Sequence, residues 1–224
     1  MSWDSKDATW ILPLPFGGIS RTASCRVVEV RLLEAVKVTW SGTHGALEKA
    51  RALAVGPGLG RTTEALRLRD DLLAAGTQPV VLDADALHEL EPGDWAGRAV
   101  LTPHAGELAR LLGEESAWVN AHRLEAARRG AERFGCVCLL KGADTIVAAP
   151  GQGALIVVTD APGLATAGTG DVLTGIVAAF LARGVEPRLA AAAAATAHGL
   201  AARRLPQAGL VASDVIAALP SVLA

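Results

Sequence analysis

Aromatic residues are scarce in this chain, 4% of its length, and cysteine occurs only as Cys25, Cys136 and Cys138. An odd number of cysteines argues against a disulfide framework, and Cys136-Val137-Cys138 lacks the CxxC spacing of a redox or zinc pair. Lying in an apolar run, those two read as buried small hydrophobes. An excess of either charge is also missing. The formal net charge is −2, which implies no basic face and makes nucleic acid a poor partner. No apolar run is long enough to span a bilayer: the Ala190–Ala195 stretch is weakly apolar and is interrupted by Thr196 and His198. Residues 1–7 carry acids and no apolar segment, so no signal peptide is expected. A reducing, cytoplasmic setting fits the cysteines.

What the chain does have is aliphatic. Hydrophobic residues make up 51% of the 224 residues, and alanine, leucine and valine supply most of them. That content suits helices packed on a sheet of small branched side chains. The length gives one domain as the natural expectation.

The first fifty residues are the least patterned. They hold Trp3, Trp10 and Trp40, with breakers at Pro13, Pro15, Gly17 and Gly18, and strands are expected over 26–32 and 36–40. No glycine-rich phosphate loop occurs there. From Arg51 a regular alternation begins. Strands are predicted at 52–55, 79–82, 98–101 and 136–140. Helices are predicted from Thr62 or Thr63 to Ala75, up to Leu112, over 117–134, and at about 170–183, 188–204 and 212–219. Residues 146–149 and 154–158 form a hairpin around Pro150-Gly151-Gln152-Gly153. Alternating strand and helix predicts an α/β sheet with helices on both faces, where ligands bind beyond the carboxyl ends of the strands.

The polar clusters follow those strand ends. Gly56-Pro57-Gly58-Leu59-Gly60 is a tight turn. Asp83 and Asp85 either hold a metal or cap the next helix, with capping the favoured reading. His104 opens a helix after Thr102-Pro103, where the positive helix end favours a neutral ring able to touch substrate or cap the helix. Glu107 completes that cap or partners His104. Lys141, followed by Gly142, is placed to meet a phosphate or to sit solvated. His198 is read as a packing residue. The densest cluster is Gly163-Leu164-Ala165-Thr166-Ala167-Gly168-Thr169-Gly170-Asp171, followed by an apolar helical run. Glycines at a helix start let free backbone N–H groups approach an anion closely. A carboxylate beside an anion site is unfavourable unless it takes a proton or holds a metal, so Asp171 is a candidate for either role, the alternative being an ordinary helix-start acid.

In this order, the Gly56–Gly60 turn, Leu82-Asp83-Ala84-Asp85-Ala86-Leu87, Leu101-Thr102-Pro103-His104-Ala105-Gly106-Glu107, Leu140-Lys141-Gly142-Ala143-Asp144-Thr145, Pro162 to Leu173 and Gly209-Leu210-Val211-Ala212-Ser213-Asp214 resemble one family closely. Over residues 51 to 222 the chain is similar to the ADP-dependent NAD(P)H-hydrate dehydratases, carbohydrate-kinase-like repair enzymes. The resemblance implies a ribokinase-like three-layer α/β/α sandwich with a mostly parallel sheet. It implies dehydration of the S-epimer of NADHX or NADPHX to NAD(P)H, using ADP (or ATP) with Mg2+ and releasing AMP and phosphate. It assigns Asp171 as catalytic base. Gly58, His104 and Asp171 would contact the hydrated cofactor. Lys141, Gly142, Ala143, Asp144, Thr145, Gly168, Thr169 and Gly170 would contact the nucleotide, with no protein cage for the metal. A homo-oligomer, commonly a tetramer, is also implied. Residues 51–224 form the dehydratase domain in this reading and residues 1–50 an atypical N-terminal segment, without the family's Gly-Gly-Ser-type loop. Ala105 stands where proline is usual and Ala161 where asparagine is usual. The competing readings are a ribokinase-like small-molecule kinase and a nucleotide-binding remnant without catalysis.

Overall fold

The computed structural model describes residues 9–12, 36–39 and 50–223. Strands β1 (Thr9–Leu12) and β2 (Val36–Thr39) pair in parallel, Thr9 opposite Val36. The expected strand at 36–40 is therefore found, whereas that at 26–32 lies outside the described residues.

The body of the molecule is a six-stranded sheet in sequential order, β3 (Leu53–Val55), β4 (Val80–Leu82), β5 (Ala99–Leu101), β6 (Val137–Leu140), β7 (Asp144–Ala148) and β8 (Leu155–Val158). β3 to β6 run parallel, and β7 and β8 form the antiparallel hairpin read from the sequence. Neighbouring side chains along a strand point to opposite faces, and here each face meets its own helices. Val80, Leu82 and Leu101 pack with Leu72 and Leu73 of α1 (Thr63–Ala75), Leu111 of α2 (Ala105–Leu112) and Phe134. Val81, Val100 and Leu139 pack with Leu173, Ile176 and Val177 of α5 (Thr169–Ala182) and Ala190 and Ala194 of α6 (Pro187–Arg203). This is the expected three-layer sandwich. Val80, Val81 and Leu82 are 0% exposed, and each such side chain stabilises the fold by about 1.5–3 kcal/mol through burial. The small alanines of α6 let that helix lie close to the sheet.

Local signals account for most boundaries. Thr62 caps α1, its hydroxyl accepting from the Ala65 N–H at 3.3 Å, and α2 ends at Gly113 in the left-handed region, φ +69°. One expectation is corrected. Residues 117–134 are two helices, α3 (Ser116–Ala121) and α4 (Arg123–Phe134). The chain breaks at His122, φ −127° and ψ 44°. Its ring stacks on Trp118, and its Nδ1 lies 3.0 Å from the Trp118 carbonyl. α7 (Ala212–Ala218) and α8 (Pro220–Leu223) close the chain. Cys136 and Cys138 are free and buried, as read from the sequence. Burial pushes both thiols up, Cys138 to about 12. Among the described residues no helix is long and apolar enough to cross a membrane.

Candidate active site

The carboxyl ends of β3 to β6 lie side by side, and hydrogen bonds continue past the strands into the polar clusters. Asp83 N–H donates to the Val55 carbonyl at 3.1 Å, Thr102 N–H to Leu82 at 3.1 Å and Lys141 N–H to Pro103 at 2.8 Å. Gly56, at φ +131°, brings its turn so close to the Asp83 carbonyl that a Cβ there would overlap it.

Asp83 is the centre of this edge. Its carboxylate is 2% exposed. One oxygen accepts from Lys141 Nζ at 2.6 Å and the other from the Thr174 hydroxyl at 2.7 Å. The helix-cap expectation for Asp83 is therefore corrected: the 3-10 turn at Ala84–Leu87 has no side-chain cap. The carboxylate instead ties β4 to the end of β6 and to α5. Asp85 does not cap either. It accepts from the Gly60 N–H at 3.0 Å and from Arg61 Nε at 2.8 Å, and so holds the Gly56–Gly60 turn. Gly58, at φ +69° and exposed, sits in the middle of that turn.

Lys141 is thus neither free nor solvated. Its ammonium lies between Asp83 and the start of α5, 3.5 Å from where a Cβ on Gly170 would stand. Gly168 opens α5 in the left-handed region, φ +86°, with no side-chain cap. Thr169 is 4% exposed, and its hydroxyl lies 2.7 Å from both the Leu164 and Thr166 carbonyls. It fastens the loop to the helix. Among the described residues the Gly170 and Asp171 amides donate to no protein acceptor, which leaves them available to an anion at the positive helix end.

Asp171, in that first turn, has its pKa raised by burial and by the Asp83 charge, while Lys141 opposes the rise. Two carboxylates around one ammonium make the exposed one the better proton acceptor. Behind them His198 of α6 is 6% exposed. Burial lowers its pKa to about 4, the Lys141 charge adds to the lowering, and a hydrogen bond with the Thr169 backbone opposes it. Its Nε2 has no hydrogen-bond partner among the described residues. The packing expectation holds for its burial, but the link to Thr169 was not legible in the sequence.

His104 realises the capping alternative. Its Nδ1 accepts from the Gly106 N–H at 3.0 Å and the Glu107 N–H at 3.3 Å, and Glu107 accepts from the His104 N–H at 2.8 Å. With Nδ1 an acceptor, the ring proton sits on Nε2, 3.4 Å from the other Glu107 oxygen. Both readings of Glu107 are met, and 56% of the His104 side chain remains exposed at the rim. Gly142, Ala143 and Asp144 are exposed on the loop after Lys141, and Thr145 lies in β7 opposite Val157.

No group of three or more metal-ligating side chains occurs among the described residues, and both Asp83 oxygens are engaged. A magnesium ion fits here as one carried mainly by phosphate oxygens and water.

Residues 21–220 match the family model for NAD(P)H-hydrate dehydratase. The bifunctional NAD(P)H-hydrate repair enzyme of Moorella thermoacetica is 44% identical over 187 residues, covering 79% of this chain and 35% of that protein. The ADP-dependent (S)-NAD(P)H-hydrate dehydratase of Neisseria meningitidis is 40% identical over 174 residues, 74% of this chain and 59% of that one. The chain therefore spans about a third of the bifunctional relative's length. The crystal structure of the ADP/ATP-dependent NAD(P)H-hydrate dehydratase from Bacillus subtilis, co-crystallised with ATP and Mg2+, superposes with a TM-score of 0.79 at 30% identity, covering 89% of this chain and 74% of that one. Hydroxyethylthiazole kinase from Pyrococcus horikoshii, at 19% identity and TM-score 0.63, shares the fold. The sandwich, the ordered clusters at its strand ends and these matches converge: the chain belongs to the NAD(P)H-hydrate dehydratase family, of ribokinase-like fold.

Proposed function

We propose that the protein dehydrates the S-epimer of NADHX or NADPHX to NAD(P)H, using ADP or ATP as phosphoryl donor. With ADP the other products are AMP and phosphate. The carrying observation is Asp171, a carboxylate of raised pKa beside free amides at the mouth of α5. In this reading Asp171 takes the proton from the ring hydroxyl as its oxygen bonds to the terminal phosphorus and the phosphoanhydride bond breaks, releasing AMP. Phosphate then leaves with the carbon–oxygen electron pair, the neighbouring carbon loses a proton, and the ring double bond returns. The Gly170 and Asp171 amides and the Lys141 ammonium face the charge on the transferring group. Gly142 to Thr145 flank the nucleotide, and the Gly56–Gly60 turn and His104 flank the hydrated ring. A bound magnesium would neutralise the phosphate oxygens. Assembly into a homo-oligomer belongs to the same proposal. The apolar side chains exposed at Ile156, Val158 and Leu189 support it.

The test is Asp171→Asn. Formation of reduced nicotinamide from NADPHX and ADP should fall by about 10²–10⁴, with ADP affinity by calorimetry changed by less than about threefold (under ~0.7 kcal/mol). Unchanged turnover sinks the assignment, and a stable phosphoester product in place of NADPH supports a kinase instead.

A further inference from the structure

The loop from Lys141 to Asp144 is held from outside the sheet by one side chain that the resemblance does not name. Arg123, the first residue of α4, sends a single Nη2 to three backbone carbonyls, Leu140 at 3.4 Å, Lys141 at 3.2 Å and Asp144 at 2.8 Å. Gly142 lies directly on the guanidinium, where a Cβ would overlap Nη2. A peptide whose carbonyl points one way carries its N–H the other way. The Lys141 carbonyl shares its peptide with the Gly142 N–H, so holding that carbonyl on the arginine turns the Gly142 amide outward, while the Leu140 and Asp144 contacts anchor the segment on either side. Among the described residues the Gly142 and Ala143 amides donate to no protein acceptor, and both residues are exposed. Successive free amides of this kind form a concavity for an anion.

The break at His122 aims the arginine. Had residues 117–134 continued as one helix, the chain would enter residue 123 in a different direction. Instead His122, stacked on Trp118, ends α3 and restarts the chain at Arg123. Burial lowers the arginine's pKa and the Asp144 carboxylate opposes this, and the group stays charged across any assay pH.

We propose that Arg123 is a positioning residue for nucleotide binding: by holding the Lys141 carbonyl, with the Leu140 and Asp144 carbonyls as anchors, it presents the Gly142 amide to the phosphates of ADP. The proposal rests on the nucleotide-site reading above. Gly142 is required on this account because a side chain would push the guanidinium off the carbonyls.

Calorimetric titration of the full chain with ADP and Mg2+ tests it without recourse to turnover. Arg123→Ala should weaken ADP binding by about tenfold to a hundredfold, the loss typical of charge-assisted hydrogen bonds. Arg123→Lys should recover only part, because a lysine is a point charge without the planar fork. In steady state the KM for ADP should rise while kcat at saturating ADP stays within about twofold (~0.4 kcal/mol). Gly142→Ala should weaken binding in the wild type and add nothing further in Arg123→Ala, a non-additive cycle that general destabilisation does not produce. Equal ADP affinity in wild type and Arg123→Ala, or additive effects of the pair, overturns the proposal while leaving the nucleotide site standing. Failure of the wild type to bind ADP overturns both.

Discussion

The two sides of the proposed active site, a phosphate side and a ring side, are built differently. On the phosphate side, Asp83 is 2% exposed and Lys141 21%, and their pair is tied to Thr174 of α5 across the sheet. On the ring side, the Gly56–Gly60 turn is held by Asp85 and Arg61, 24% and 51% exposed, and His104 is a half-exposed cap. Charges buried together and fully hydrogen-bonded cannot be loosened one at a time. Charges at a wet rim are screened and replaceable. On the proposed reading the phosphate side is the more buried and more tightly tied half of the site.

The largest expected effect tests the more buried half. Asp83→Asn leaves Lys141 in place without its counter-charge, and urea denaturation should show a loss of about 3 kcal/mol, the low end for breaking a buried pair. The same change removes the charge that raises Asp171. The acid limb of kcat/KM, where activity is lost as falling pH protonates the base, should then move to lower pH. A limb that stays put would separate Asp83 from the base and reduce it to scaffolding.

Next comes His198, behind the same network. Its pKa is lowered from 6.5 to about 4 in the folded protein. The unfolded chain therefore binds the proton first, and stability falls as pH drops from about 6.5 to about 4, by up to about 3 kcal/mol. In His198→Leu that part of the slope should be missing from denaturation midpoints measured at the two ends of the window. Parallel slopes would place the sensitivity elsewhere.

The smallest effect belongs to the rim. Asp85→Asn should change stability by less than about 1 kcal/mol, raise the KM for the hydrated cofactor several-fold and leave ADP affinity alone. If ADP affinity falls equally, the two sides are not independent and the contrast drawn here fails.

Much of the fold was legible because its signals are local. Thr62 and Gly76 bracket α1 in the sequence as in the structure, and the aliphatic strands carry their polar clusters directly after them. The site was legible as a set of clusters, yet its wiring was not. Asp83 looks like a cap to its neighbours, but its partners lie 58 and 91 residues away. The break at His122 is likewise invisible to helical periodicity, because residues 117–134 keep their pattern through it. Thr169 is a similar case, a residue of the motif whose hydroxyl bonds the loop itself, a link its neighbours in sequence do not announce.

Cys136 and Cys138 bear on how the protein ages. Only a thiolate reacts readily with peroxide or a disulfide. With the Cys138 thiol pushed up to about 12 by burial, the folded protein carries almost none of it as thiolate at neutral pH. Those two sulfurs are buried at strand β6 against the covering helices, so oxidants that harm exposed thiols reach them only through unfolding. Oxidation of either of these two thiols would report the unfolding rate of this part of the core and not the reactivity of the folded sulfur.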